Sequence, residues 1–400
     1  HGTSATSEVR EFRIRMGMEL DLMNLWFGKT ADYFRQFISD QTIGMARINR
    51  FDFTTLPINL LYLLYYEYRR NEKESLNFSF FEYGKNSNGN PDDDRWEMYL
   101  ELQEMYAILQ RWYNDKELYH YLGFLFFNFK AQTPFRDIYT QWKALNSRDK
   151  FLKDIQHTIA TRMLDRYLEE TEKAAPDYQK CLKTMTEAIS DFRENWYNND
   201  KELYQILILL DIFRILDSKS IKKLPTDYFT RKSGQKDGED KEHILSQTPR
   251  KDNGEIATIK TDWERFAQSE DFKDIRSQMQ EILNHSDAEL TEQELTQLQN
   301  LLNSAGLNSI GNMVLLDLRI NRSYGNADYT HKRTIIFQEY MNQKYVRPHT
   351  LAVFMKGDID AREATGIPLN RWTLEDIKRN TDKIAKEIGK NFNAWLTQNN

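Results

Sequence analysis

The amino-acid sequence predicts a mainly α protein, in which a helical bundle is followed by a smaller α+β domain. Three observations lead to this prediction. From about residue 8 to residue 216, apolar residues recur at spacings of three and four, as on one face of a helix. At Asp217 the composition becomes polar and locally basic. Farther on, the short run MVLLD, Met313 to Asp317, predicts a buried strand.

Composition excludes several classes of protein. A chain of 400 residues can bury two or three cores, and its longest apolar run is far shorter than the roughly 20 residues that a bilayer requires. The single cysteine, Cys181, excludes an internal disulfide and a cysteine-based zinc site, and it suits the cytoplasm. The net charge of −6 means that DNA binding would need a local basic patch. We see no export signal, and the opening HGTSATSEV lacks methionine, so we expect the native protein to extend upstream.

The helical region contains an internal sequence repeat of two copies. WYNDKELYHYLGFLFF begins at Trp112, and WYNNDKELYQILILLDIF begins at Trp196. Each copy predicts a turn at Asn-Asp followed by a helix that becomes strongly apolar. Two copies are too few for a solenoid, so we expect two similar helical hairpins in one bundle. The aromatic residues at helical spacing are interpreted as core: Trp112, Tyr113, Tyr119, Tyr121, Trp196 and Tyr197.

Breaks in the pattern mark turns and linkers. YGKNSNGNPDDD, Tyr83 to Asp94, carries Asn-Gly and Asn-Pro steps and predicts a turn, with Asp94 as the cap of the next helix. The polar segment after Asp217 is basic, and either a solvated linker or an approach to phosphate is consistent with its lysines.

The residues that could carry chemistry fall in two blocks. GEDKEHILSQTP places Glu242 next to His243, a pair that alone is more typical of a solvated surface than of a site. LNSIGNMVLLDLRINRSYGNADYTHKR places Asn312 before the predicted strand and Asn321 after it, and then leads into a helix. Taken separately, the two asparagines could be strand and helix caps.

Phosphodiester hydrolysis would explain these residue types. Histidine can deprotonate water near neutral pH. A hard cation neutralises the charge that develops on the phosphate and on the leaving oxygen. Carboxylate and amide oxygens suit Mg²⁺, whereas a His/Cys set would suit zinc. An amide beside the histidine can fix its tautomer by a hydrogen bond.

These blocks resemble the C-terminal HNH (ββα-metal) nuclease domain of the GmrSD-type, modification-dependent restriction nucleases and their phage-defence relatives. YVRPHTLAVFMKG and RWTLEDIKRNTDKIAKEIG resemble that family's closing segment, and the helical region is similar to its middle segment. The chain is therefore predicted to divide into a helical domain at 1–216, a linker at 217–236, a nuclease domain at 237–356 with a helical insertion at about 260–305, and a C-terminal helical segment at 357–400.

The resemblance implies a role for each matching residue. His243 would be the general base, Asn312 would orient it, and Glu242 and Asn321 would bind Mg²⁺ or Mn²⁺. The basic residues Lys332, Arg333 and Arg322 would contact DNA, with Lys332 close to the scissile phosphate.

Two departures from the family pattern affect this interpretation. His243 and Asn312 are 69 positions apart, and the intervening segment is predicted to be acidic, solvated helices. The family's Asp-Gly-Gln-Gln-Arg motif is absent, so nucleotide handling would belong to a missing N-terminal domain.

Two functions remain open from sequence alone. The first is a metal-dependent DNA endonuclease or nickase of a restriction or anti-phage system that acts in the cytoplasm, with modified phage DNA among its candidate substrates. The alternative is a non-cleaving DNA-binding or regulatory module that retains the nuclease fold. The intact Glu-His and asparagine positions favour the enzyme.

Overall fold

The computed structural model of the chain describes residues 2–70, 75–77, 80–81, 91–219, 222–231, 238–246, 248–249, 255–318, 320, 329–356 and 369–398. The fold of these residues is mainly α with one two-stranded sheet, which confirms the predicted fold class. The chain forms two compact units, residues 1–159 and 160–400. This division lies earlier than the predicted boundary at 216, because two helices before Asp217 pack on elements that follow it.

The described secondary structure of the first unit is all helical, with turns and short connections between the helices. Its helices are α1 Gly2–Phe34, α2 Asp40–Ile48, α3 Asn59–Arg69, α4 Pro91–Asn114, α5 Lys116–Phe129, α6 Phe135–Leu145 and α7 Arg148–Leu164, which continues into the second unit.

Local sequence explains where several of these helices begin. Asp115 accepts hydrogen bonds from the backbone N–H groups of Glu117 and Leu118 and so caps α5. Helix α4 begins at Pro91, a favoured first position, so Asp94 lies inside its first turn rather than at the cap predicted for it.

The second unit opens with α8, Tyr178–Ser190, a 3-10 turn at Trp196–Asn198, and α9, Asp200–Asp217. Helix α9 is buried around nearly its whole circumference, as its continuous apolar run predicts. Each Trp-Tyr-Asn block is followed by an apolar buried helix, as the repeat predicts. However, α5 lies in the first unit and α9 in the second, so the expectation that both copies pack into one bundle is wrong.

The sheet pairs two strands that are distant in sequence. Strand β1, Glu239–His243, runs antiparallel to β2, Met313–Asp317, and all five residues of β2 are buried. Between the strands lie α10 Lys260–Ala267, α11 Arg276–Asn284 and α12 Glu292–Ser304. Trp263, Met279 and Leu298 from these helices join Val314 and Leu316 of β2 in one apolar core. The intervening segment is thus packed into the domain, rather than forming the solvated insertion that its acidic composition predicts.

Three helices complete the second unit: α13 Tyr329–Met341, α14 Pro348–Met355 and α15 Leu374–Thr397. Thr373 and Asp376 form a capping box at the start of α15. Helix α15 packs along α8, and α14 packs on α9 and β2. None of the described helices combines the length and the apolar character that crossing a bilayer requires.

Candidate active site

The two strands bring His243 and Asn312 together across 69 positions of sequence. His243 ends β1 opposite Met313, the first residue of β2. The backbone N–H of Ile244 donates to the carbonyl of Asn312 over 2.9 Å. The two residues of the predicted pair are therefore close in space although they are far apart in sequence.

The side chain of Asn312 holds the main chain that follows the histidine. It is fully buried, and its Oδ1 accepts from the backbone N–H of Leu245 over 2.8 Å. Its Nδ2 donates to the carbonyls of Leu245, 3.0 Å away, and Leu307, 2.9 Å away. All the side-chain bonds that the structure gives Asn312 go to backbone. The expectation that this amide contacts the imidazole itself is thus corrected, since it fixes the chain from which His243 projects.

A different amide contacts the imidazole. Oδ1 of Asn308, which is 5% exposed, lies 2.9 Å from Nε2 of His243. Nδ2 of Asn308 donates to Oδ1 of Asn303 over 2.6 Å, which sets the orientation of the Asn308 amide. Because an amide oxygen only accepts, Nε2 must carry the proton, and the neutral ring then has its lone pair on Nδ1. Sequence reasoning missed Asn308, although it lies in the same LNSIGN block as Asn312.

Tyr197 forms a wall of the histidine's environment. Its ring stacks on the imidazole of His243 at 4.7 Å between centroids and 17° between planes. The ammonium of Lys241 lies 4.3 Å from the centroid of the same ring and also bonds the Tyr197 carbonyl and Asp200. The residue that corresponds to Tyr197 in the first copy of the repeat is Tyr113, which packs among other aromatic rings. The interpretation of Tyr197 as a bundle-core residue is therefore wrong, because its ring covers the histidine.

The turn that carries Tyr197 is fixed to the loop that carries Asn308. The backbone N–H of Trp196 donates to the carbonyl of Asn308 over 2.9 Å, and the indole of Trp196 is buried. This one connection thus positions both Asn308 and Tyr197 against the imidazole. This explains how a segment 46 positions before His243 becomes part of its surroundings.

Lys332 lies in the interior and contacts the backbone of the histidine. The residue is 1% exposed, and its Nζ donates to the carbonyl of His243 over 2.8 Å. An ammonium in this position supports the end of β1 and is shielded from solvent. The prediction that Lys332 is a phosphate contact is corrected by this burial. Arg333 is half-buried, donates from Nε to the carbonyl of Phe354 over 2.9 Å, and lies over the ring of Phe337.

The expected metal ligands are only partly described. Glu242 pairs with Val314 in the sheet and is half-buried, directly before His243. Asn321 and Arg322 lie outside the described residues. Within the described ranges, no group of three or more His, Cys, Asp or Glu side chains could hold a metal ion. Carboxylate and amide oxygens are donors that Mg²⁺ accepts, so the expected ligands match that ion in chemical type, and their arrangement around it stays a prediction.

A buried ion network anchors the other end of β1. Arg347 donates from Nε and Nη2 to the carboxylate of Glu239, both over 2.7 Å, and from Nη1 to Asp211 over 2.7 Å. All three residues are buried. Burial raises the pKa of Asp211, and the guanidinium of Arg347 offsets part of that effect. Arg347 directly precedes α14, so this network joins β1, α9 and α14 into one support for the site.

The comparisons with known proteins fit this arrangement. Residues 186–387 match the family model described as GmrSD restriction endonucleases, C-terminal domain. The matched range contains the strands and every described residue that touches His243. No curated protein and no solved structure matches the chain.

Proposed function

Since the chain belongs to the family of GmrSD restriction endonucleases, C-terminal domain, we propose that it cuts DNA at an HNH-type, metal-dependent site in which His243 activates the attacking water. The observation that carries this proposal is the way the imidazole is held. Asn308 bonds Nε2, Tyr197 covers one face, and Lys332 and Asn312 fix the backbone at the His243 carbonyl and two residues farther on. Such rigid support is what a general base requires.

The tautomer of His243 assigns the step to one atom. With the Nε2–H donated to Asn308, Nδ1 accepts the proton of the attacking water. The water oxygen then bonds to phosphorus, the bond between phosphorus and the leaving oxygen breaks, and the released oxygen takes a proton from solvent water. The stacked ring of Tyr197 limits rotation of the imidazole during this transfer.

Glu242 and Asn321 are the residues that would hold Mg²⁺ or Mn²⁺. When bound, such an ion supplies positive charge against the phosphate and the leaving oxygen. Titration calorimetry with Mn²⁺ on the wild type and on Glu242→Ala tests this assignment without reference to cleavage. Equal binding by the two proteins would remove Glu242 from the proposed site.

Plasmid nicking tests the catalytic role. His243→Ala should lose roughly 10² to 10⁴ in rate with Mg²⁺ present, as is usual when a general base is removed. His285→Ala is the matched control, because His285 is an exposed histidine of the same unit, on the surface after α11. Wild-type nicking by His243→Ala would overturn the mechanism. DNA binding by the wild type without any nicking would instead favour the regulatory module.

The biological setting belongs to the same proposal. Family membership supports action in restriction or anti-phage defence, with DNA as the substrate class. We extend this to modified phage DNA in the cytoplasm, and to a nucleotide-handling domain elsewhere in the full-length protein. Action of more than one copy of the chain on the same DNA is compatible with this proposal.

A further inference from the structure

A recess between α14 and α15 lies apart from the residues that contact His243. Its lining includes the last turn of α14 and the first turns of α15, with Val353, Trp372 and Asn380 among the wall residues. The charged lining residues are Lys356, Asp376, Arg379 and Lys383. The site described above uses none of these side chains.

Two buried donors in this lining have no acceptor within the described part of the chain. Trp372 is 4% exposed, and its indole N–H makes no hydrogen bond there. Nη1 of Arg379 is also buried without a hydrogen-bond partner, since its closest carboxylate oxygen, on Asp376, is 3.9 Å away. Buried indole and guanidinium N–H groups normally donate to something. Both are therefore available to an acceptor that the described part of the chain does not provide.

The charge of the recess favours an anionic acceptor. Among the described lining residues there are three cations, Lys356, Arg379 and Lys383, and one carboxylate, Asp376, which gives a formal excess of two positive charges. That carboxylate already accepts hydrogen bonds within the protein, from the ammonium of Lys356 over 3.0 Å and from Thr373 at the start of α15. Arg379 and Lys383 are four positions apart on one helix, where like charges repel each other. An anion between them would remove that repulsion.

We propose that this recess binds a phosphate group through the indole N–H of Trp372 and the side chains of Arg379 and Lys383. Arginine and lysine together offer the charge-assisted donors that phosphate oxygens prefer. The phosphate could belong to the DNA backbone or to a free nucleotide, since the chemistry at the recess is the same for both.

The recess is connected by packing to the histidine. The ring of Trp372 stacks on Tyr329 at 5.8 Å, and Tyr329 begins α13. Lys332, one turn along that helix, bonds the carbonyl of His243. Occupancy of the recess therefore bears on the helix that supports the proposed base, although binding itself does not depend on cleavage.

The test is a titration of the full chain, labelled with ¹⁵N at its tryptophan indoles, with inorganic phosphate at constant ionic strength. The Trp372 resonance, assigned with Trp372→Phe, should move and saturate. Arg379→Ala/Lys383→Ala should weaken that binding by about tenfold or more, as expected when charge-assisted bonds are lost. The matched control is Lys378→Ala/Lys386→Ala, which removes two positive charges from exposed positions of the same helix and should titrate like the wild type.

Two further arms identify the source of the phosphate. Tighter binding of a nucleoside monophosphate than of inorganic phosphate would indicate a free nucleotide, and a Trp372 shift with a short duplex alone would indicate the DNA backbone. If Arg379→Ala/Lys383→Ala does not fold, Arg379→Gln/Lys383→Gln takes its place. The proposal is overturned if the Trp372 resonance does not saturate with any of the three probes. It is also overturned if the recess variant and its control lose affinity equally.

Discussion

At the scale of single residues, the contact between Asn308 and His243 sets which ring nitrogen can act as a base. Asn308→Ala removes the acceptor at Nε2, so both tautomers become populated and the ring is less fixed. We expect the nicking rate to fall roughly 10-fold to 100-fold, the usual cost of losing a group that orients a site residue. Thermal unfolding of the variant shows whether the loss is catalytic rather than structural.

Asn308→Asp separates orientation from charge. The carboxylate retains an acceptor at Nε2, but it favours the protonated imidazole, which cannot take a proton from water. The acidic limb of the pH–rate profile for nicking should therefore move to higher pH, while activity above that limb is retained. An unchanged profile in this variant would show that Asn308 does not contact the working base.

Lys332 is expected to act through the fold. Lys332→Ala leaves the buried carbonyl of His243 without its donor, which typically costs about 1–3 kcal/mol. Urea unfolding should show this loss, and nicking should fall with it. Lys332→Met retains most of the buried stem, so it distinguishes the lost hydrogen bond from lost packing.

The salt dependence of DNA binding provides the opposing test for Lys332. A surface lysine that neutralises a phosphate contributes to the slope of affinity against salt concentration. Because Lys332 is 1% exposed, its removal should leave that slope unchanged. A flatter slope with unchanged stability would return Lys332 to the DNA interface.

At the scale of elements, the approach of α15 to the start of β2 requires a glycine. A Cβ at Gly311 would lie 2.3 Å from both the Ile377 carbonyl oxygen and Thr381 Oγ1, and 2.6 Å from the Thr381 nitrogen. Asn380 of the same helix donates to the Gly311 carbonyl over 2.8 Å. The helix can yield only by moving its backbone away from the residue before Asn312.

Gly311→Ala should therefore destabilise the protein by about 1–3 kcal/mol, the typical cost of overpacking, and should also reduce nicking. Gly44→Ala is the matched control, because Gly44 lies inside α2 with no atom within 4 Å of an added Cβ. That control should be neutral or stabilising by up to about 1 kcal/mol. Free energies of unfolding in urea measure both, and equal values would contradict the close packing.

At the scale of the whole molecule, the nuclease unit includes helices that precede the change in composition at Asp217. Tyr197 covers the histidine, Asp211 bonds Arg347, and Thr186 of α8 lies 3.1 Å from where a Cβ on Gly389 would be. A fragment of residues 160–400 should therefore fold cooperatively, whereas residues 217–400 should not. Circular dichroism melts of the two fragments measure this, and a cooperative melt of the shorter one would restore the boundary at Asp217.

The parts that sequence could predict are the local ones. Helical periodicity and the buried run MVLLD are set by neighbours in sequence, and the structure has helices and a strand there. The pairing of His243 with Asn308 depends on a contact across 65 positions, and no local spacing encodes it. The sequence predicts Lys332 to be a phosphate-binding cation, because residue type alone does not show whether the ammonium group of a lysine lies in solvent or in the interior. The core position predicted for Tyr197 is wrong because the two copies of the repeat share residue types but pack against different parts of the fold.

The pairing of β1 with β2 has a consequence for when the enzyme becomes active. Contacts between distant parts of a chain form slowly, since the intervening loop must first be closed. During synthesis His243 emerges well before Asn308, Asn312 and Lys332, and α15, which holds Gly311 in place, comes last of the described elements. A ribosome-bound chain thus carries the histidine without the residues that orient it. Competence to cut DNA therefore requires that α15 has been synthesised and has packed against Gly311.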